Sequence, residues 1–359
     1  MGQRAPCSIL LCFITLSIFV MAIPTLANCA APKPLFRQDL HLLGFPDRAL
    51  ARNMANYTDV VFLSDDLVLV VVNFREFAGV SPLFADEPPS KLLLFDLSQK
   101  KLVRSAELPV EKFPGSVRST RNGNFALLDQ EGVRLCSSEL TCGPPFASGG
   151  PLFASPGGTK LIVGGSGRSE QKLLDSETLN VLDRFHSPDL FVIPGDDGLL
   201  LRYIRSKTEL HLRLPGKPEY LLEFGGGGIW PSARFLSDRI VADFSSHDLV
   251  VAKLGTAILY RVPVRLEEYA ELVTAVSGSR FCLHEIDYTR WNRFINFGFA
   301  EGMQPSIESV RVLDTESGKL IFQLKWDPRP YGEAVPALSP NAHRIAIVRS
   351  GYLEVYEIH

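Results

Sequence analysis

The chain has 359 residues, 46% of them apolar, which is enough to bury a large core. Its 37 Lys and Arg against 40 Asp and Glu leave a net charge of −3. That balance excludes nucleic acid as a partner, because phosphate binding needs a concentrated basic surface.

Residues 1–27 stand apart. Arg4 is their only charge, and Ser8 to Ile23 is an almost unbroken apolar run ended by Pro24. Thr25-Leu26-Ala27 places small residues where a signal peptidase reads, so the expectation is a secretory signal peptide over 1–27. The run is shorter than the ~20 residues that span a bilayer, so no membrane span is expected in the mature chain. Leu26-Ala27-Asn28-Cys29 is similar to a bacterial lipobox, but Asn28 stands where Gly, Ala or Ser usually precedes the cysteine. Lipidation at Cys29 is therefore the secondary route. The protein is expected outside the cytoplasm, periplasmic or extracellular.

Next, Gln38-Asp39-Leu40-His41-Leu42-Leu43 alternates polar and apolar residues, the pattern of one strand. From there one phrase recurs seven times: an apolar stretch, a tight turn, and a second apolar run. The turns are Ser64-Asp65-Asp66, Arg121-Asn122-Gly123, Ser155-Pro156-Gly157-Gly158, Gly195-Asp196-Asp197-Gly198, Ser237-Asp238-Arg239, Ser277-Gly278-Ser279 and Ser339-Pro340-Asn341. Their first residues lie 57, 34, 40, 42, 40 and 62 positions apart. No long segment with helical periodicity follows residue 30. A period near ~40 residues with strand patterning throughout signals a β-propeller, one repeat per blade. Blades share one closed ring, so residues 28–359 are read as a single domain.

A second phrase follows in three repeats. Leu94-Phe95-Asp96-Leu97-Ser98, Leu173-Leu174-Asp175-Ser176-Glu177 and Val312-Leu313-Asp314-Thr315-Glu316 each lead into a return strand. Asp in such a turn accepts backbone N–H bonds, and its recurrence at one place argues for a turn cap rather than a general acid. The phrases, with Ser155-Pro156-Gly157-Gly158 before Leu161-Ile162-Val163 and Ser339-Pro340-Asn341 before Ile345-Ala346-Ile347-Val348, resemble the WD-repeat and YVTN-type β-propellers. The likeness covers residues 36–359. The Gly-His and Trp-Asp dipeptides of strict WD repeats and a literal Tyr-Val-Thr-Asn are absent. The resemblance implies an all-β, seven-bladed β-propeller with four antiparallel strands per blade. After the seventh turn only two strands remain, so the N-terminal strand, about 37–44, is expected to close the last blade and remove its edge.

Cys136 and Cys142 flank a tight turn between two strands, and in an oxidising compartment a disulfide is expected between them. The repeat is interrupted twice. From turn to Asp phrase, blade three takes 20 residues, blade one 32 and blade six 37. The extra residues, within 73–91 and 287–309, fall between second and third strands, and their arginines are interleaved with aromatics. Phe74, Arg75, Phe77, Tyr288, Arg290, Trp291 and Arg293 are the candidate ligand-binding residues on the channel face. An arginine cluster of this kind suits a small anionic ligand, and a protein partner is the other candidate. The bland reading is a lid of aromatics packed on one another.

Weaker signals carry little. Phe224-Gly225-Gly226-Gly227-Gly228 is glycine-rich but opens no helix that could cradle phosphate. Cys282, His284 and Asp287 lie close in sequence, but further metal ligands are not evident. No catalytic residue, metal or cofactor is expected. The sequence is thus read as an exported, monomeric propeller acting as a binding or interaction module. Two rivals are a propeller enzyme, lactonase-like or a quinoprotein-type subunit, and a scaffold that binds protein along its blade edges.

Overall fold

A computed structural model describes residues 32–44, 58–72, 90–108, 116–129, 131–146, 150–164, 170–186, 190–204, 209–222, 233–245, 248–254, 258–264, 269–287, 307–327 and 334–359. They form seven antiparallel sheets in a seven-bladed β-propeller. Blade one is β2 (Thr58–Phe62), β3 (Leu67–Val72), β4 (Lys91–Asp96) and β5 (Lys101–Glu107). Blade two is β6 (Ser116–Ser119), β7 (Phe125–Asp129) and β8 (Gly132–Cys136). Blade three is β9 (Leu152–Ala154), β10 (Lys160–Val163), β11 (Gln171–Asp175) and β12 (Val181–Phe185). Blade four is β13 (Leu190–Pro194), β14 (Leu200–Ile204), β15 (Glu209–Arg213) and β16 (Tyr220–Leu221). Blade five is β17 (Arg234–Ser237), β18 (Ile240–Phe244), β19 (Asp248–Lys253) and β20 (Ile258–Pro263). Blade six is β21 (Tyr269–Thr274), β22 (Arg280–Asp287), β23 (Ile307–Asp314) and β24 (Leu320–Trp326). Blade seven joins β25 (Val335–Leu338), β26 (Arg344–Arg349) and β27 (Tyr352–Glu357) to β1 (Phe36–Asp39) from the other end of the chain.

The core explains why the inner strands read as continuous apolar runs. Each blade is buried on both faces, so alternate residues of one strand go to different neighbours. In β3, Val68, Val70 and Val72 pack with Ala346, Val348 and Val355 of blade seven. Leu69 and Val71 pack with Val117, Phe125 and Leu127 of blade two. The buried apolar residues fall into seven clusters, one at each blade interface, and this accounts for a closed ring. Outer strands need only one apolar face. β5 is largely exposed along its length.

Ring closure by the N-terminal strand holds, with a shorter strand than expected. β1 pairs Phe36 with Val355 through Asp39 with Tyr352, and Phe36 and Leu40 are buried between blades seven and one. Arg37 bonds Glu354 across the pair and stacks on Tyr352, 3.9 Å from the ring centre. The strand ends at Asp39 because that carboxylate accepts the His41 backbone N–H and lies 2.9 Å from His41 Nδ1. His41–Leu43 is then a single 3-10 turn, stopped at Gly44 with φ 89°.

Blade two departs from four strands. Where its outer strand would lie, residues 142–146 make only isolated bridges, Val133 with Phe146 and Cys136 with Cys142. Pro144 and Pro145 have no N–H to donate, so the ladder cannot continue. The disulfide joins Cys136 and Cys142 with Cα atoms 4.0 Å apart. Among the described residues no helix is long and apolar enough to cross a membrane.

Candidate functional site at the channel mouth

All seven turns lie between the first and second strands of their blades, so antiparallel order brings them to one end of the channel. They are tied to one another. Asn341 N donates to Asp65 Oδ1 at 3.0 Å, and Arg344 reaches the Asp65 carbonyl and Asp66 Oδ1, both at 2.5 Å. Ser277 N donates to Pro340 O at 2.8 Å. Asp196 of blade four accepts three bonds from blade three, from Ser155 Oγ at 2.7 Å, Gly157 N at 2.7 Å and Thr159 Oγ1 at 2.5 Å. Gly278, at φ 66°, lets blade six approach blade five; a Cβ there would meet Ser237 Cβ at 2.7 Å. Asn122 and Asp197 hold left-handed φ values of 64° and 55° at equivalent places, which Asn and Asp tolerate better than other side chains do.

The turns enclose a cavity of about 550 Å³ whose wall includes Asp65, Arg121, Asn122, Asp196, Asp197 and Asp238. Four carboxylates face one guanidinium among the lining residues. Asp196 is buried and occupied by its bonds to blade three, whereas Asp197 and Asp238 are exposed. Partial desolvation against the neighbouring turns raises the pKa of the exposed Asp238 above the ordinary carboxylate value, and the charges of Asp196 and Asp197 raise it further. The mouth is therefore a recess of crowded negative charge.

The residues that the sequence singled out, Phe74, Arg75, Phe77, Tyr288, Arg290, Trp291 and Arg293, lie outside the described residues. The strands flanking them are described. β3 ends at Val72 and β22 at Asp287, so both insertions leave from second strands, at the end of the channel opposite the turns. The acidic mouth was missed because it draws its four carboxylates from three turns that are remote in sequence. The aspartates of the repeated turns were the only signal for it.

The Asp phrases act as turn caps. Asp96 Oδ1 accepts from Ser98 N and Gln99 N, Asp175 Oδ1 from Glu177 N and Thr178 N, and Asp314 Oδ1 from Ser317 N. Cys282 is buried between blades six and seven, and burial pushes its thiol up. His284 does not turn toward a metal site with it. Its Nε2 lies 2.5 Å from Glu308 Oε1, and both side chains are buried. Glu308 also accepts from Ala334 N at 2.7 Å and from Trp326 Nε1 at 3.1 Å. Glu308 is thus a hub with three polar partners, His284, Trp326 and Ala334. No group of three or more His, Cys, Asp or Glu among the described residues is placed to hold a metal.

No family model matches the sequence, and no curated protein sequence matches it. Solved structures do. A chain of the mitotic checkpoint complex aligns with TM-score 0.56 at 12% identity, covering 91% of this chain and 96% of that one. The C-terminal WD40 domain of Sif2 aligns with TM-score 0.54 at 12% identity, covering 92% of this chain and 99% of that one. Raptor from Chaetomium thermophilum aligns with TM-score 0.57 at 9% identity, covering 92% of this chain and 29% of that one. Identities this low establish the fold alone, which is that of the seven-bladed β-propeller.

Proposed function

We propose that this chain is an exported β-propeller that works as a protein-interaction module, and that a cationic segment of its partner docks at the mouth formed by the seven turns. The observation that carries this reading is the recess of about 550 Å³ whose described wall holds Asp65, Asp196, Asp197 and Asp238 with Arg121, Arg239 standing near Asp238. Desolvation raises the Asp238 pKa first, and the charges of Asp196 and Asp197 add to it; a Lys or Arg side chain set among the carboxylates relieves that crowding, which gives the contact its direction. Hydrogen bonds between the turns of blades three and four, six and seven, and seven and one keep the recess preformed, so little ordering opposes binding. Export is supported by the apolar leader of residues 1–27 and is consistent with the Cys136–Cys142 disulfide. A second reading is that the arginines and aromatics of the insertions within 73–91 and 287–309 bind an anionic group; it rests on their sequence composition.

Photo-crosslinking in intact cells tests this. A photoreactive residue at Val276, 43% exposed at the mouth, should trap a partner, and the trapped native chain should begin near Asn28. The same residue at Trp291 tests the second surface, and at Leu182, exposed on an outer strand, it tests the blade edge. In parallel, a penta-arginine peptide should bind the purified protein at low salt. Asp197→Asn with Asp238→Asn should weaken that binding about tenfold or more. A partner trapped at Leu182 and not at Val276, with peptide binding indifferent to the two aspartates, would defeat the reading.

A further inference from the structure

Blades six and seven share a polar relay that the channel mouth does not use. It starts at His284, held through Nε2 by Glu308. Glu308, fully buried, bonds the indole N–H of Trp326 at 3.1 Å. The Trp326 ring lies under the Arg349 guanidinium of blade seven, 4.9 Å from its centre. Arg349 Nε donates to Glu354 Oε2 at 2.6 Å, and Tyr356 Oη donates to the same oxygen at 2.8 Å. Glu354 Oε1 meets Arg37 Nε of the closing strand at 3.3 Å. One chain of contacts thus runs from β22 and β23, the strands that flank the longest insertion, through β24, β26 and β27 to β1.

Its chemistry makes it responsive to displacement. Glu308 loses three partners at once if β23 moves away from His284, Trp326 and Ala334, and a buried carboxyl group left without hydrogen bonds is costly. Burial works against the charge of Arg349, yet Glu354 and Tyr356 outweigh it, and its pKa is raised. The guanidinium is therefore committed to three neighbours, the Trp326 ring, the Glu354 carboxylate and the Tyr356 hydroxyl. β1 in turn is joined to the ring along one edge only, on β27. Glu354, the last acceptor of the relay, sits on the strand that holds it.

We infer that this relay is a latch that couples the stem of blade six to ring closure, so that a shift of β22 or β23 loosens the hold on β1. The coupling is independent of what docks at the channel mouth. The apolar clusters at each interface resist small deformations. The relay is the polar path that crosses from blade six to the closing strand.

Site-resolved hydrogen exchange tests the latch in the full chain. The reporters are the amides of Leu35 and Leu40, which bond Val355 O and Gly351 O and so seal both ends of β1. Trp326→Phe removes the donor to Glu308 and keeps a ring beneath Arg349. It should speed exchange at Leu35 and Leu40 roughly tenfold, within the range for residues of one network, and leave the Ser155 amide of blade three unchanged. Arg349→Lys, which keeps the charge and loses the planar stack, should give the same pattern if the first variant fails to fold. Thr159→Val, which breaks the bond from Thr159 of blade three to Asp196 of blade four, is the control and should leave Leu35 and Leu40 as they were. Unchanged exchange at Leu35 and Leu40 in the relay variants would overturn the inference. So would a uniform rise at every amide in relay and control variants alike.

Discussion

The aspartates of this chain divide by environment, and the two kinds have opposite consequences for stability. Asp314 accepts Ser317 Oγ and Ser317 N, and these bonds, foremost the side-chain one, hold its pKa below the ordinary carboxylate value. A carboxyl whose folded pKa is lowered contributes stability that is present above its unfolded value, near ~3.9, and is lost as pH falls through the folded one. Asp238 is the reverse case. Burial and the charges of Asp196 and Asp197 raise its pKa, so its contribution is present below the unfolded value and is lost as pH rises through the folded one. At neutral pH the ionised Asp238 therefore works against the fold. Asp314→Ala should cost roughly 1 kcal/mol at pH 7, and the cost should fade toward pH 3. Asp238→Asn should gain about 0.3 kcal/mol at pH 7, a small value because the group is exposed to solvent. Urea melts at the two pH values check both, and a destabilised Asp238→Asn at pH 7 would show that the mouth is not a site of crowded charge.

At the scale of single elements, what was legible in the sequence follows the reach of the interactions. The turns and their Asp caps were legible because donor and acceptor lie within a few residues, as between Asp96 and Ser98. The Cys136–Cys142 pair was legible for the same reason. Glu308 was not, because its partners His284 and Trp326 stand on two other strands, 24 and 18 residues away, and Ala334 stands just before a third, 26 residues away. The mouth was hidden likewise. Asp65 and Asn341 are neighbours only once the ring has closed. Blade two shows how an element can be replaced. Its outer edge is held by the Phe146 bridge and the disulfide in place of a paired strand, and Arg104 of blade one bonds Glu139 across the interface. Closing so small a loop contributes at most roughly 2 kcal/mol by chain entropy. Cys136→Ser with Cys142→Ser should lower stability by about that amount, and exchange at the Val133 and Phe146 amides should rise first. Equal melting with and without reductant, together with unchanged exchange at those amides, would show that the two prolines and Phe146 hold the edge unaided.

At the scale of the molecule, stability rests on closure. Seven interfaces, each with its own apolar cluster, leave no blade with a free face. The ring is completed by four residues, Phe36–Asp39, from the far end of the chain. That strand carries more than backbone pairing. Phe36 and Leu40 are buried in the cluster between blades seven and one. Phe36 also meets Phe95 of blade one with ring centres 6.0 Å apart, and Arg37 satisfies Glu354. Removing residues 36–44 therefore exposes the edge of β27, opens the blade-one interface and leaves Glu354 with fewer donors. Two buried apolar side chains at roughly 1.5–3 kcal/mol each already amount to a large share of a typical stability of about 5–15 kcal/mol. The truncated chain should melt far below the intact one and associate through its exposed strand edge. Arg37→Met, which leaves the strand and its apolar contacts in place, should cost much less, roughly 1–2 kcal/mol. Calorimetry on the two variants separates pairing and burial from the ion pair. If the truncated chain melted with the temperature and cooperativity of the intact protein, β1 would be an accessory strand, and the ring would be closed by the contact of blades seven and one alone.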